Sequence, residues 1–127
     1  MTVMQPQRNR RKAASPGTTN VAIIGAGRGG TALMEVFADD PLVRIVGVAE
    51  MNQQAPGVSL AKQLRIPVTS DYRQLLAMER VDLIIDVSGN AEVWQLLQDF
   101  HRMGLTVIGG ASAKFMWELI EARIRAT

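Results

Sequence analysis

The stretch VAIIGAGRGGTALMEVF, Val21 to Phe37, decides how the rest of the chain is read. Val21 to Ile24 are continuously apolar, the character of a strand covered on both faces in a parallel sheet. From Arg28 to Ala38 the spacing predicts a helix with Ala32, Leu33, Val36 and Phe37 turned inward. Between the two lies Gly25-Ala26-Gly27-Arg28-Gly29-Gly30, which fits G-x-G-x-x-G at Gly25, Gly27 and Gly30. Each glycine has a physical purpose in such a loop. The first allows a tight turn out of the strand, the second lets the backbone approach a pyrophosphate, and the third lets helix and strand pack closely. Free N–H groups and the positive end of the helix dipole then face the phosphates. Glycines crowd many turns, so the motif gains its weight from the strand before it and the helix after it. The alternatives are a glycine turn that binds nothing, or one that holds a mononucleotide.

Outward from this loop the chain keeps alternating. Strands are predicted at Asn20–Ile24, Val43–Ala49, Pro67–Thr69, Asp82–Val87 and Leu105–Ile108, the third near a sheet edge because of its proline. Helices are predicted at Gly57–Leu64, from Asp71 through Met78, at Ala91–Met103 with Gly104 as its stop, and from a Ser112 cap to about Arg125. Such alternation with short connections specifies an α/β domain. It is a doubly wound parallel sheet of Rossmann type, strand order 3-2-1-4-5, with helices on both faces.

Glu50 ends the second strand, 25 positions after Gly25. That is near the spacing of a carboxylate that accepts from an adenosine ribose. Its charge opposes a 2′-phosphate, and the residues that follow, Met51, Asn52 and Gln53, are not basic. The pattern therefore favours NAD over NADP, unless Glu50 is only a solvated strand end. Arg28 sits where a cation opposes the helix dipole, so it either meets a phosphate or points into water. Ser88, Gly89 and Asn90 follow the fourth strand and flank the switch point of the sheet. For Asn90 as a single role, capping the next helix is favoured over lining the site. Asp86 either faces the crevice or caps a neighbouring backbone group. The expected dinucleotide-binding set is Gly25, Ala26, Gly27, Arg28, Gly29, Gly30, Glu50, Met51, Ser88, Gly89 and Asn90, with no catalytic or metal residue assigned.

Composition narrows the alternatives. The 127 residues contain no cysteine and one histidine, His101, which speaks against disulfides, thiolate metal sites and a His-dependent triad. Residues 1–19 carry Arg8, Arg10, Arg11 and Lys12 without an acid, and read as a disordered basic tail before a domain spanning 20–127. The domain itself is mildly acidic. A nucleic-acid role would rest on the tail alone and is not expected. No apolar run approaches the roughly 20 residues of a membrane span, and there is no secretory signal pattern, so the expected setting is cytoplasmic.

The segments VAIIGAGRGG, RIVGVAEMN, TSDYRQLL and VDLIIDVSGN resemble the N-terminal NAD-binding domain of Gfo/Idh/MocA-type oxidoreductases, over roughly Asn20 to Gly110. Homoserine dehydrogenase and dihydrodipicolinate reductase have related domains. The resemblance implies an NAD(P)-binding fold, but two features of that family are missing. Its Glu-Lys-Pro motif after the fifth strand is replaced by Gly109-Gly110-Ala111-Ser112-Ala113-Lys114, which puts Lys114 in the first turn of the last helix. The family's substrate domain also has no counterpart in this sequence. The C-terminal VIGGASAKFMWELIEARI is similar to Rossmann modules that accompany bacterial sensor kinases. Three functions therefore stand side by side. One is an NAD(H)-binding sensing or regulatory module, with its last helix (Phe115, Met116, Trp117, Leu119, Ile120, Ile124) meeting a second subunit or a partner. Another is an oxidoreductase subunit whose substrate site comes from elsewhere, with Lys114, Asp86, Ser88 and His101 as candidate proton donors. The last is a ligand-free dimeric scaffold.

Overall fold

The computed structural model describes residues 17–126. The basic segment at positions 1–16, and with it most of the predicted tail, lies outside the described residues. Five strands form one parallel sheet: β1 (Thr19–Ile24), β2 (Val43–Ala49), β3 (Val68–Thr69), β4 (Leu83–Asp86) and β5 (Val107–Ile108). Their order is β3-β2-β1-β4-β5, as the alternation predicts. The helices are α1 (Arg28–Phe37), α2 (Pro56–Gln63), α3 (Arg73–Leu76), α4 (Ala91–Arg102) and α5 (Gly110–Ala126).

β1 is the middle of the molecule. Its residues alternate between two apolar layers, as a strand's period of two requires. Val21 and Ile23 join Leu33, Met34, Val58 and Ala113 on the side of α1, α2 and α5. Ala22 and Ile24 join Leu75, Val93 and Leu97 on the side of α3 and α4. β2 breaks this alternation once. The register slips by one between Val21 and Ala22, which pair with Ile45 and Gly47. This bulge lets Val48 share the α1 side with Val43 and Ile45, while Val46 and Ala49 face the other layer. Gly47 leaves room for Leu75 there, since a Cβ would lie 2.7 Å from a Leu75 methyl and the leucine would have to shift.

Several boundaries differ from the sequence pattern. β1 begins one residue earlier, at Thr19, whose N–H donates to Leu42 O. The predicted helix after Asp71 is only four residues long; Asp71 Oδ1 does accept from Arg73 N, at 3.0 Å. β4 and β5 are shorter than their apolar runs. The largest correction concerns α5. It starts at Gly110, so Ser112 lies inside the helix and does not cap it, and Lys114 falls in the second turn. Gly110 takes a left-handed φ of 60°, and a Cβ on Gly109 would lie 2.4 Å from the Trp94 ring. Helix α5 is therefore entered directly from β5 through two glycines. It is also not covered all round. Ala113, Met116, Trp117 and Ile120 pack on the sheet, while Phe115 (68%) and Leu119 (47%) remain exposed.

Candidate functional site

The carboxyl ends of β1, β2 and β4 meet at one edge of the sheet, and the glycine loop sits there. Gly25 leaves β1 with φ of 108°, and its N–H donates to Ala49 O at 2.7 Å. Ala26 is buried, and both of its backbone groups are bonded. Its N–H donates to Glu50 Oε1 and its carbonyl accepts from Gly57 N, each at 2.7 Å. Gly57 comes this close because a Cβ on it would lie 2.5 Å from that carbonyl. Gly27 then caps α1 without any side-chain bond, and a Cβ on it would meet nothing within 4 Å. The uncapped first turn of α1 thus opens onto empty space beside a residue with no side chain. This fits a phosphate group, which needs N–H donors and close backbone approach.

Glu50 stands at the end of β2, where the sequence pattern puts it. Its Oε1 takes the Ala26 N–H, and its Oε2 takes that of Asn52 at 2.9 Å. The carboxylate is thereby fixed against the loop. A cavity of about 130 Å³ lies beside it, lined by Gly25, Glu50, Met51, Ser88 and Asn90 among the expected residues. Ser70 and Tyr72 complete the wall. They follow β3, within the TSDYRQLL segment, and the strand order brings them here.

Past β4 the chain folds on its own side chains. Asp86 Oδ1 accepts from Ser88 N and Ser88 Oγ, at 3.0 and 2.6 Å, and Ser88 Oγ accepts from Asn90 N. Asn90 caps α4, its Oδ1 accepting from Glu92 N and Val93 N at 2.8 and 3.2 Å. Asn90→Ala is expected to cost about 1 kcal/mol of stability, read from the urea midpoint. A second cavity, of about 420 Å³, opens between α4 and α5, lined by Asp86, Gly89, Asn90, Trp94, Lys114 and Trp117. The two cavities share Asn90, so the crevice runs across the switch point of the sheet.

Arg28 is exposed, and its guanidinium turns to α5. Nε and Nη2 donate to the Glu121 carboxylate at 2.8 to 3.2 Å, and the group lies 5.5 Å from the Trp117 ring centre. Hydrogen bonding from Arg28 holds the Glu121 carboxyl below its ordinary pKa, and the same bond raises that of Arg28. Any stability the pair adds is present at neutral pH and is lost as pH falls through the lowered carboxyl pKa. Among the other candidates, Lys114 pairs loosely with Glu118 at 4.0 Å. His101 is exposed in the last turn of α4, at the opposite end of that helix from Asn90, its Nδ1 3.2 Å from Leu105 O. No cluster of potential metal ligands occurs among the described residues.

This geometry agrees with comparison to known proteins. The model of the Gfo/Idh/MocA oxidoreductase family, NAD-binding Rossmann fold, matches residues 19–108. The chain belongs to this family. Solved structures with the same fold include GenD2 from gentamicin A biosynthesis in complex with NAD, at 23% identity and a TM-score of 0.65 over 75% of this chain and 27% of that one. A myo-inositol dehydrogenase from Corynebacterium glutamicum gives 21% identity and 0.63 over 72% and 27%. A scyllo-inositol dehydrogenase from Lactobacillus casei with bound NAD(H) and scyllo-inositol gives 17% and 0.60 over 84% and 33%. The Gfo/Idh/MocA domain described here therefore spans about a quarter to a third of the length of these relatives. Comparison with curated protein sequences finds no match. No described helix is long and apolar enough to cross a membrane.

Proposed function

We propose that this Gfo/Idh/MocA domain binds NAD(H) in preference to NADP(H) and acts as a cytoplasmic sensing or regulatory module. The observation that carries the cofactor choice is the Glu50 carboxylate, fixed beside the cavity by Ala26 N and Asn52 N. There it can accept from ribose hydroxyls and opposes a 2′-phosphate. In this reading the loop of Gly25, Ala26, Gly27, Arg28, Gly29 and Gly30 surrounds the pyrophosphate, with Gly27, Arg28 and the first turn of α1 facing it, while the N–H groups of Gly25 and Ala26 stay on Ala49 O and Glu50 Oε1. Glu50 and Met51 flank the adenosine ribose, and Ser88, Gly89 and Asn90 flank the nicotinamide ribose. When bound, NAD supplies a hydride acceptor. The regulatory part rests on α5, which packs against α1 and keeps Phe115 and Leu119 exposed for a second copy or a partner protein.

A second reading is the nucleotide-binding part of an oxidoreductase. Lys114 favours it, since it lines the larger cavity together with Asp86 and Asn90. A lysine there could serve a substrate completed by another domain or chain.

Calorimetric titration with NAD, NADH, NADP and NADPH tests the cofactor reading. The expected Kd for NADH is micromolar, about −8 kcal/mol. Glu50→Ala is expected to weaken NADH binding about tenfold and NADPH binding much less. Equal or tighter binding of NADPH by the unaltered protein would overturn the preference. No binding of any of the four by folded protein would overturn the whole reading.

A further inference from the structure

Glu121 is not part of the glycine loop, yet its carboxylate takes three bonds from the loop's one cationic side chain. Arg28 is the first residue of α1, and its cation is disfavoured by the helix dipole. The structure resolves this conflict across 93 positions of sequence, with three bonds from one guanidinium to one carboxylate. A phosphate at the same helix turn would offer Arg28 a second anion, also able to accept two parallel bonds.

We infer that Glu121 is a positioning residue for the phosphate site: it holds Arg28 on α5 until a pyrophosphate draws the guanidinium away. The inference rests on the reading of the glycine loop as a pyrophosphate site. Three features make the exchange feasible. The Arg28 side chain is 67% exposed, so it can swing without repacking a core. Exposed ion pairs are weak, so a doubly charged ligand can outcompete this one. Glu121 also keeps a partner when Arg28 leaves, because Arg125 Nη1 lies 3.1 Å away, one turn further along α5. The consequence reaches Trp117. Its ring lies under Arg28 and against Gly29, where a Cβ would be 2.9 Å from it. Transfer of Arg28 uncovers that ring and removes one of the ties between α1 and α5. Phosphate occupancy is thereby felt on the helix that carries Phe115 and Leu119.

The test compares ADP-ribose with adenosine, which lacks phosphate, on the unaltered chain and on Glu121→Gln. Freed from the carboxylate, Arg28 is expected to tighten ADP-ribose binding roughly fivefold, with adenosine binding unchanged. A variant that alters both ligands alike, alters neither, or weakens ADP-ribose overturns the inference. A second measurement does not depend on that variant folding. In a Trp94→Phe background Trp117 is the sole tryptophan. Saturation with ADP-ribose is expected to shift its emission, and saturation with adenosine is not. Bound ADP-ribose with unaltered emission also overturns it. Failure of the unaltered chain to bind ADP-ribose at all is a different result, and counts against the pyrophosphate site itself.

Discussion

Gly30→Ala is expected to cost about 3 kcal/mol or more and to lower the melting temperature by roughly 10 °C. A Cβ on Gly30 would stand 2.0 Å from the Gly25 carbonyl oxygen, and 3.7 Å from an Ile23 methyl. The first contact is with backbone, so no rotamer change can relieve it. Helix α1 would have to move off β1, and with it Leu33 and Met34, both fully buried. A domain of this size has only about 5–15 kcal/mol to lose, so a large fraction of its stability goes with one methyl group. Differential scanning calorimetry of the variant is the direct check. A melting point within 2 or 3 °C of the parent would mean that α1 is less closely seated than the structure has it.

Gly27→Ala is expected to do the opposite. Nothing lies within 4 Å of the added methyl, and φ is −83°, outside the left-handed region, so the methyl itself meets no obstacle. The helix cap is weakened slightly, by about 1 kcal/mol at most. Binding is another matter, because the methyl occupies the space through which a phosphate would reach the N–H groups of α1. Loss of about 2 kcal/mol of binding, roughly 30-fold in Kd, is expected in a titration with NADH. Undiminished NADH binding would place the pyrophosphate elsewhere. Two glycines three positions apart thus serve different ends: one lets the helix pack, the other keeps the surface of the loop bare.

The sequence pattern carries most of this architecture because the features that set it are local. Apolar runs such as Ile45–Ala49 and Leu83–Ile85 mark strands, Gly104 stops α4 with φ of 102°, and the glycine motif places the crevice. Glu50 was legible as the acid at the end of the second strand, and the strand order followed from the strand–helix alternation. What escaped the pattern depends on pairs far apart in sequence. Gly57 belongs to the site because its N–H meets Ala26 O, and nothing around Gly57 announces that. Ser112 has the chemistry of a cap, but α5 already starts at Gly110, after a Gly109 that lies against the Trp94 ring. The two options left for Arg28, phosphate or water, omitted a third: a carboxylate on the last helix. Long-range ion pairs of this kind leave no periodic trace.

The central place of β1 also bears on how the chain comes together as it is made. Its partner on one side is near in sequence, Ile45 pairing with Val21 from 24 positions away. Its partner on the other side, Leu83, is 62 positions away. A nascent chain can therefore form the β1–β2 half with α1 early, but β1 remains an edge strand, apolar on both faces, until β4 has left the ribosome. Over that interval Val21 to Ile24 present an open ladder of the kind that pairs with other chains. Translation that stalls between β2 and β4 leaves the central strand of the sheet open along one side.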